Sequence, residues 1–231
     1  MRHFASLNNP FLRCGAIAYF SLKRHWYQWR YPNLSLAPGV MIRGRLKITG
    51  SVQVAIGAQS RLGKKVEIFG SGKLSVGENV SLNGCSVGCQ SEIAIGNDCL
   101  ISDCYLLDTD YHNLDPRLRH LPPGPKTTAP IVIEDNVWIG ANSTVMKGVR
   151  VGRDSVIGLG SVIRKSVPAG VVAIGNPQQI VKRFEYDAYG QRLPESPSLS
   201  PSPSSLPASF QTSPQSDFGL VQHPPLIHIT Q

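Results

Sequence analysis

No aspartate or glutamate occurs before Glu67, although that stretch carries eleven lysines and arginines. The rest of the chain is slightly acidic, so the net charge of +8 sits at the N-terminal end, and an anionic partner meets that end first. Aromatics make up only 7% of a chain that is 41% hydrophobic, which argues for a core of small aliphatic residues rather than large rings. Long apolar runs are missing as well. The longest uncharged apolar stretch near the start, Cys14 to Phe20, is too short to cross a bilayer, and no suitable cleavage site follows it. Neither an integral membrane protein nor one exported by a signal peptide is expected. The five cysteines form no CxxC pair and are too sparse for a disulfide scaffold, so reduced thiols and no metal site are expected, with Cys99 at a small inward position. Nucleic-acid binding is suggested by charge alone, without a recognisable module.

Three regions are present. Residues 10–30 read as a helix opened by Pro10 and closed by Pro32. Leu12, Tyr19, Leu22, Trp26 and Trp29 share one face, with Lys23 and Arg30 flanking it and Arg13 and Arg24 opposite. Two readings follow: a cap over residues 1–43 that buries this stripe on the open end of the next domain, or an interfacial helix drawn to anionic lipid. After about residue 187, Pro and Ser dominate, and the segment 187–231 reads as a disordered tail.

Between these, residues 44–186 are repetitive. Ile133, Ile139, Val145, Val151, Ile157 and Ile163 fall six apart without a break. Four places after each comes Val137, Ser143, Val149, Ser155, Ser161 or Val167. An earlier block runs through Ile56, Leu62, Ile68 and Leu74, slips by two, and resumes at Val76, Leu82, Ile95, Ile101 and Leu107. A period of six fits neither a helix nor a meander. It predicts a parallel β-helix, all-β in class, with aliphatic residues stacked inside a prism and Gly, Asn or Asp at the corners. The repeat breaks over residues 113–130, just after His112.

The run Asp135 to Asn142, the run Ser155 to Ile163, and the run Val167-Pro168-Ala169-Gly170 through Gly175-Asn176-Pro177 resemble the hexapeptide-repeat O-acetyltransferases, such as the maltose and galactoside acetyltransferases and those of polysaccharide biosynthesis. The resemblance covers about residues 75–184. It implies a left-handed β-helix, a homotrimer with active sites between subunits, acetyl-CoA as donor and a saccharide hydroxyl as acceptor.

It also implies that His112, on the rung before the loop, is the base that takes the hydroxyl proton, a task suited to a group titrating near neutrality. Its second ring nitrogen needs a carbonyl or carboxylate partner. Asp108, Asp110 and a backbone carbonyl are all candidates, and His120 is a weaker candidate for the base itself. Asn83 corresponds to a substrate-contacting asparagine, or is simply a corner residue. Ala141 and Leu159 correspond to backbone contacts of the pantetheine arm, with Trp138 and Gly140 beside them. Arg164, Lys165 and Lys182 correspond to positions near the nucleotide phosphates. Gln179 stands where galactoside-type relatives carry an arginine, which weakens one phosphate contact or passes it to Arg183.

Other occupants of this architecture fit less well. A carbonic anhydrase-like site needs three converging histidines, and the repeats supply only His112 and His120. The residues ahead of the repeats are too few for a nucleotide-binding α/β domain. The remaining alternative is a trimeric scaffold or binding protein without turnover. The cytoplasm is the expected location, with peripheral contact at the inner face of the membrane through the basic N-terminal region.

Overall fold

The computed structural model describes residues 9–124 and 127–185, so the expected tail lies outside the described residues. Helix α1 spans Pro10–Arg30; the Asn9 side chain accepts from the backbone N–H groups of Phe11 and Leu12, and Pro10 takes the first turn, where its missing donor costs nothing. Then the chain winds through twenty short strands that form three sheets, one per side of a prism.

The first sheet contains β1 (Leu34–Leu36), β4 (Gln53–Ile56), β7 (Lys73–Val76), β10 (Glu92–Ile95), β13 (Ile131–Ile133) and β16 (Arg150–Val151). The second contains β2 (Met41–Ile42), β5 (Arg61–Gly63), β8 (Ser81–Asn83), β11 (Leu100–Ser102), β14 (Trp138–Ile139), β17 (Val156–Ile157) and β19 (Val171–Ile174), and ends on the antiparallel β20 (Gln179–Arg183). The third contains β3 (Arg45–Gly50), β6 (Lys65–Gly70), β9 (Ser86–Cys89), β12 (Tyr105–Leu107), β15 (Thr144–Met146) and β18 (Val162–Ile163). All pairings but the last are parallel, each strand bonding to its equivalent one coil away.

The expected parallel β-helix is therefore present, as a solenoid of about seven turns. All six aliphatics from Ile133 to Ile163 are buried, and so are the six small or branched residues four places after them. The first five strands of the first sheet each turn two residues inward, as Leu74 and Val76 do in β7; this is the origin of the two-residue slip in the repeat. Corners need positive φ. Between the first and second sheets it is supplied by Gln59, Asn79, Asp98, Asn136 and Asp154, with φ of 55–59°. Asn79 donates to Asp98 at 2.8 Å and Asn136 to Asp154 at 2.8 Å, which ties successive corners together. Cys85, Cys89, Cys99 and Cys104 are buried in the prism; Cys99 is inward as expected, and the sulfurs of Cys85 and Cys104 lie 4.0 Å apart in adjacent coils.

Three expectations need correction. The prism begins at Leu34, ten residues before Gly44: Leu34 and Leu36 pair with Val54 and Ile56 and supply the first coil's inward residues. In β12 the inward residue is Leu106, not Leu107. The turn at Asp103 is one residue shorter than six-residue spacing requires, so Leu106 stacks between Val87 and Val145 while Leu107 points outward. The helix does lie on the first coil, but not through the expected stripe. Its buried residue is Tyr27, whose hydroxyl accepts the Leu46 N–H at 3.3 Å and whose ring stacks on Tyr31. Leu12, Tyr19, Leu22, Trp26 and Trp29 are all exposed, Trp29 by 79%.

Candidate active site

Third-sheet strand β12 ends at Leu107, and the next five residues carry the candidate base. Asp108 turns into the prism and is fully buried. A buried carboxylate must be hydrogen-bonded, and this one accepts the backbone N–H groups of Gln90 and Ser91, each at 2.7 Å, from the coil below. Burial, with Asp108 beside it, pushes the Cys89 thiol up to about 12. Asp110 forms an ion pair with Lys147 at 2.5 Å on a partly buried edge. Both carboxylates thus have partners of their own, and among the described residues no hydrogen bond joins either of them to His112.

Tyr111 is the residue the sequence reading missed. Its φ of +62° is held by a bond from its N–H to Thr109 Oγ1 at 3.0 Å, and this left-handed turn lays the ring on Phe69 with centroids 6.1 Å apart. Its hydroxyl is buried without a partner among the described residues, and burial raises its pKa above the ordinary tyrosine value. His112 follows, exposed at the mouth of the loop.

The loop itself is closed at its base. Thr109 bridges Thr128, Asp110 N–H donates to Thr127 O at 2.9 Å, and Ala129 N–H donates to Asp108 O at 3.0 Å. Asn113 organises the interior: its amide donates to the carbonyls of Leu118, Leu121 and Pro122, and its Oδ1 accepts from Gly124 N–H. Under this strap lies a cavity of about 370 Å³ lined by Gln90, Thr109, Tyr111, Gly124, Thr127 and Thr128. It is wide enough for a small polar ligand. His120 is exposed on the outer loop.

The other candidates fall on a different edge. Asn83 ends β8 at the corner leading from the second sheet to the third, in the ladder that places Ser102 on it. Trp138 opens β14 and is 53% exposed; Gly140 and Ala141 follow at the corner of the same coil, two coils on from Asn83, and Leu159 occupies that corner one coil further. Gly140 is required there, since a Cβ would stand 2.9 Å from Leu159 N. Arg164 and Lys165 leave the far end of the third sheet, exposed, their backbone N–H groups donating to Gln178 Oε1 at 2.7 and 2.9 Å. Lys182 and Arg183 lie on β20, where Lys182 sits 5.7 Å from the Phe184 ring. Within one chain, then, the structure separates Asn83 and the Trp138–Leu159 group from His112: they occupy two different edges of a three-sided prism. No cluster of three His, Cys, Asp or Glu suited to a metal occurs among the described residues.

The family model described as bacterial transferase hexapeptide (six repeats) matches residues 130–165. Over 146 residues the chain is 30% identical to the putative lipopolysaccharide biosynthesis O-acetyl transferase WbbJ of Escherichia coli (strain K12), covering 60% of this chain and 74% of that protein. It is 37% identical over 94 residues to the galactoside O-acetyltransferase of Lactococcus lactis subsp. lactis (strain IL1403), covering 41% of this chain. That alignment spans only 44% of the galactoside enzyme's length. In fold it is similar to AntD, an N-acyltransferase from Bacillus cereus solved in complex with dTDP and 3-hydroxybutyryl-CoA, at a TM-score of 0.54 and 16% identity over 69% of this chain and 88% of that one. The chain belongs to the hexapeptide-repeat acetyltransferase family.

Proposed function

We propose that this protein transfers an acetyl group from acetyl-CoA to a hydroxyl of a saccharide acceptor, with His112 as general base. The observation that carries this reading is the separation just described. His112 and its loop stand on one edge of the prism, and the Asn83–Leu159 corner stands on another, so a complete site needs the second edge of a neighbouring copy. A homotrimer of parallel prisms meets that need. The names of the two relatives, a galactoside and a lipopolysaccharide O-acetyltransferase, support a saccharide acceptor.

The chemistry follows from the residue types. Neutral imidazole takes the proton of the acceptor hydroxyl as its oxygen attacks the thioester carbonyl. The tetrahedral intermediate collapses, the C–S bond breaks, and the imidazolium returns its proton to the departing CoA thiolate. Asn83, contributed by the facing edge, donates to the oxyanion. The pantetheine arm follows the backbone at Ala141 and Leu159 beside Trp138 and Gly140, and exposed Arg164, Lys165, Lys182 and Arg183 meet the phosphates. With both nearby carboxylates committed elsewhere, a backbone carbonyl is left to orient His112. Use of acetyl-CoA as donor supports a cytoplasmic site of action.

The decisive experiment pairs release of CoA thiol, over a panel of soluble saccharides, with the His112→Ala variant. Turnover by the parent that falls at least a hundredfold in the variant, with CoA binding retained, is expected. Unchanged turnover in the variant overturns the role of His112. Absence of thiol release from the parent with every acceptor leaves the scaffold reading in its place.

A further inference from the structure

Helix α1 presents its apolar face to solvent. Phe11, Leu22, Trp26 and Trp29 are exposed by 86, 72, 53 and 79%, on the side of the helix away from Tyr27, which anchors it to the prism. Water alone is a poor neighbour for a contiguous patch of this kind. Among the described residues no helix is both long and apolar enough to cross a bilayer. Helix α1 is instead the type of helix that lies in the interface, with indole rings at headgroup depth.

Charge says what the face meets. On the helix Lys23 and Arg30 flank the apolar stripe while Arg13 and Arg24 lie opposite it, and Arg43 and Arg45 flank its seat on the first coil. Lys23 donates to Gly44 O at 3.3 Å and Leu46 N–H to Tyr27, so the two arginines sit beside the contact itself. Among the described residues none of these six cations has a carboxylate within ion-pair distance. No acidic residue occurs anywhere before Glu67. A surface that combines outward tryptophans with unneutralised cations and excludes anions is complementary to an anionic lipid headgroup layer. A protein partner or a second copy of the chain would also cover the apolar rings. The second copy, however, would bring the same unneutralised cations against their own kind.

We propose that α1 and the adjoining first coil form a membrane-docking surface for anionic phospholipid, which holds the N-terminal end of the prism on the bilayer while the coils carrying His112 project away from it. This inference rests on the helix geometry and charge, and it stands or falls apart from the acetyltransferase reading.

The test is co-sedimentation of the full chain with vesicles of phosphatidylcholine alone, and of phosphatidylcholine with about a third phosphatidylglycerol. Binding to the anionic vesicles only, weakened at about 0.5 M salt, is expected. Trp26→Ser with Trp29→Ser should lower the partition coefficient at least tenfold, and Arg43→Glu with Arg45→Glu about fivefold per site. All four residues are exposed, so melting temperature and turnover on a soluble acceptor should not change in either variant. No binding to anionic vesicles at low salt overturns the proposal. So does undiminished binding of the tryptophan variant, and so does its dissociation to a smaller oligomer without vesicles present, which would assign the face to another copy.

Discussion

Tyr111 lies on Gly88 so closely that a methyl group on the glycine would stand 1.9 Å from the phenol oxygen. The glycine sits in β9, one coil below, and its lack of a side chain is what lets the ring fold over the third sheet onto Phe69. The backbone turn that accomplishes this also delivers His112 to the loop mouth. Gly88→Ala should therefore evict the ring. A stability loss of about 1–3 kcal/mol is expected from overpacking, together with lower turnover, since His112 is the next residue. Thermal unfolding and thiol release measured on the same preparation check this. Full activity at reduced stability would separate the tyrosine from the positioning of the base.

Asp108 and Asp110 look interchangeable in the sequence, and the structure gives them different tasks. Asp108→Asn replaces one acceptor oxygen by a donor that faces a backbone N–H, so roughly 2–4 kcal/mol of stability should be lost in chemical denaturation. Asp110→Asn weakens a partly buried ion pair but leaves an amide oxygen that still accepts from Lys147, so it should cost less, about 1–2 kcal/mol. Because neither carboxylate reaches His112 within the chain, the acid limb of the pH–rate profile should be unmoved in Asp110→Asn. A shifted limb would mean that assembly brings Asp110 onto the imidazole.

Glu134 offers a pH test. Its carboxylate accepts the Arg153 N–H at 2.8 Å and pairs with Arg150 at 2.6 Å, and these hold its pKa below the ordinary value of 4.5, the backbone bond contributing most. A group whose folded pKa is depressed stabilises the protein above its unfolded pKa, and the contribution fades as pH falls below that value through the folded one. Glu134→Gln should lower stability by about 1 kcal/mol at neutral pH, a figure reduced for its exposure to solvent. The difference between variant and parent should vanish in acid. A gap that persists well below about pH 4 would trace the loss to packing instead.

How much of this was readable in advance depends on whether the information was local. The run from Ile133 to Ile163 was legible because each inward residue is followed by its equivalent at constant spacing. The break over residues 113–130 was legible for the same reason, since the strands resume only at Ile131. The role of Asp108 was not legible, because the N–H groups it satisfies belong to Gln90 and Ser91 in the preceding coil, and only the coil length sets that register. Tyr111 and Gly88 are invisible as a pair for the same reason. The face of α1 illustrates a different limit: periodicity identified the apolar stripe correctly but carries no sign, and it does not say whether the stripe meets the prism or turns away from it.

Leu106 and Leu107 turn the shortened corner at Asp103 into a measurement. Both are leucines in one strand, so the sequence offers no chemical distinction between them. The structure stacks Leu106 between Val87 and Val145 with no solvent exposure and leaves Leu107 half-buried beside Gly88 and Met146. Leu106→Ala should open a cavity in a closed column of aliphatics and lose about 2–5 kcal/mol. Leu107→Ala removes only part of a burial and should lose about 1 kcal/mol. Equilibrium denaturation of the two variants decides the register: the reverse order would restore six-residue spacing through this coil and move every residue from Asp108 to His112 by one position.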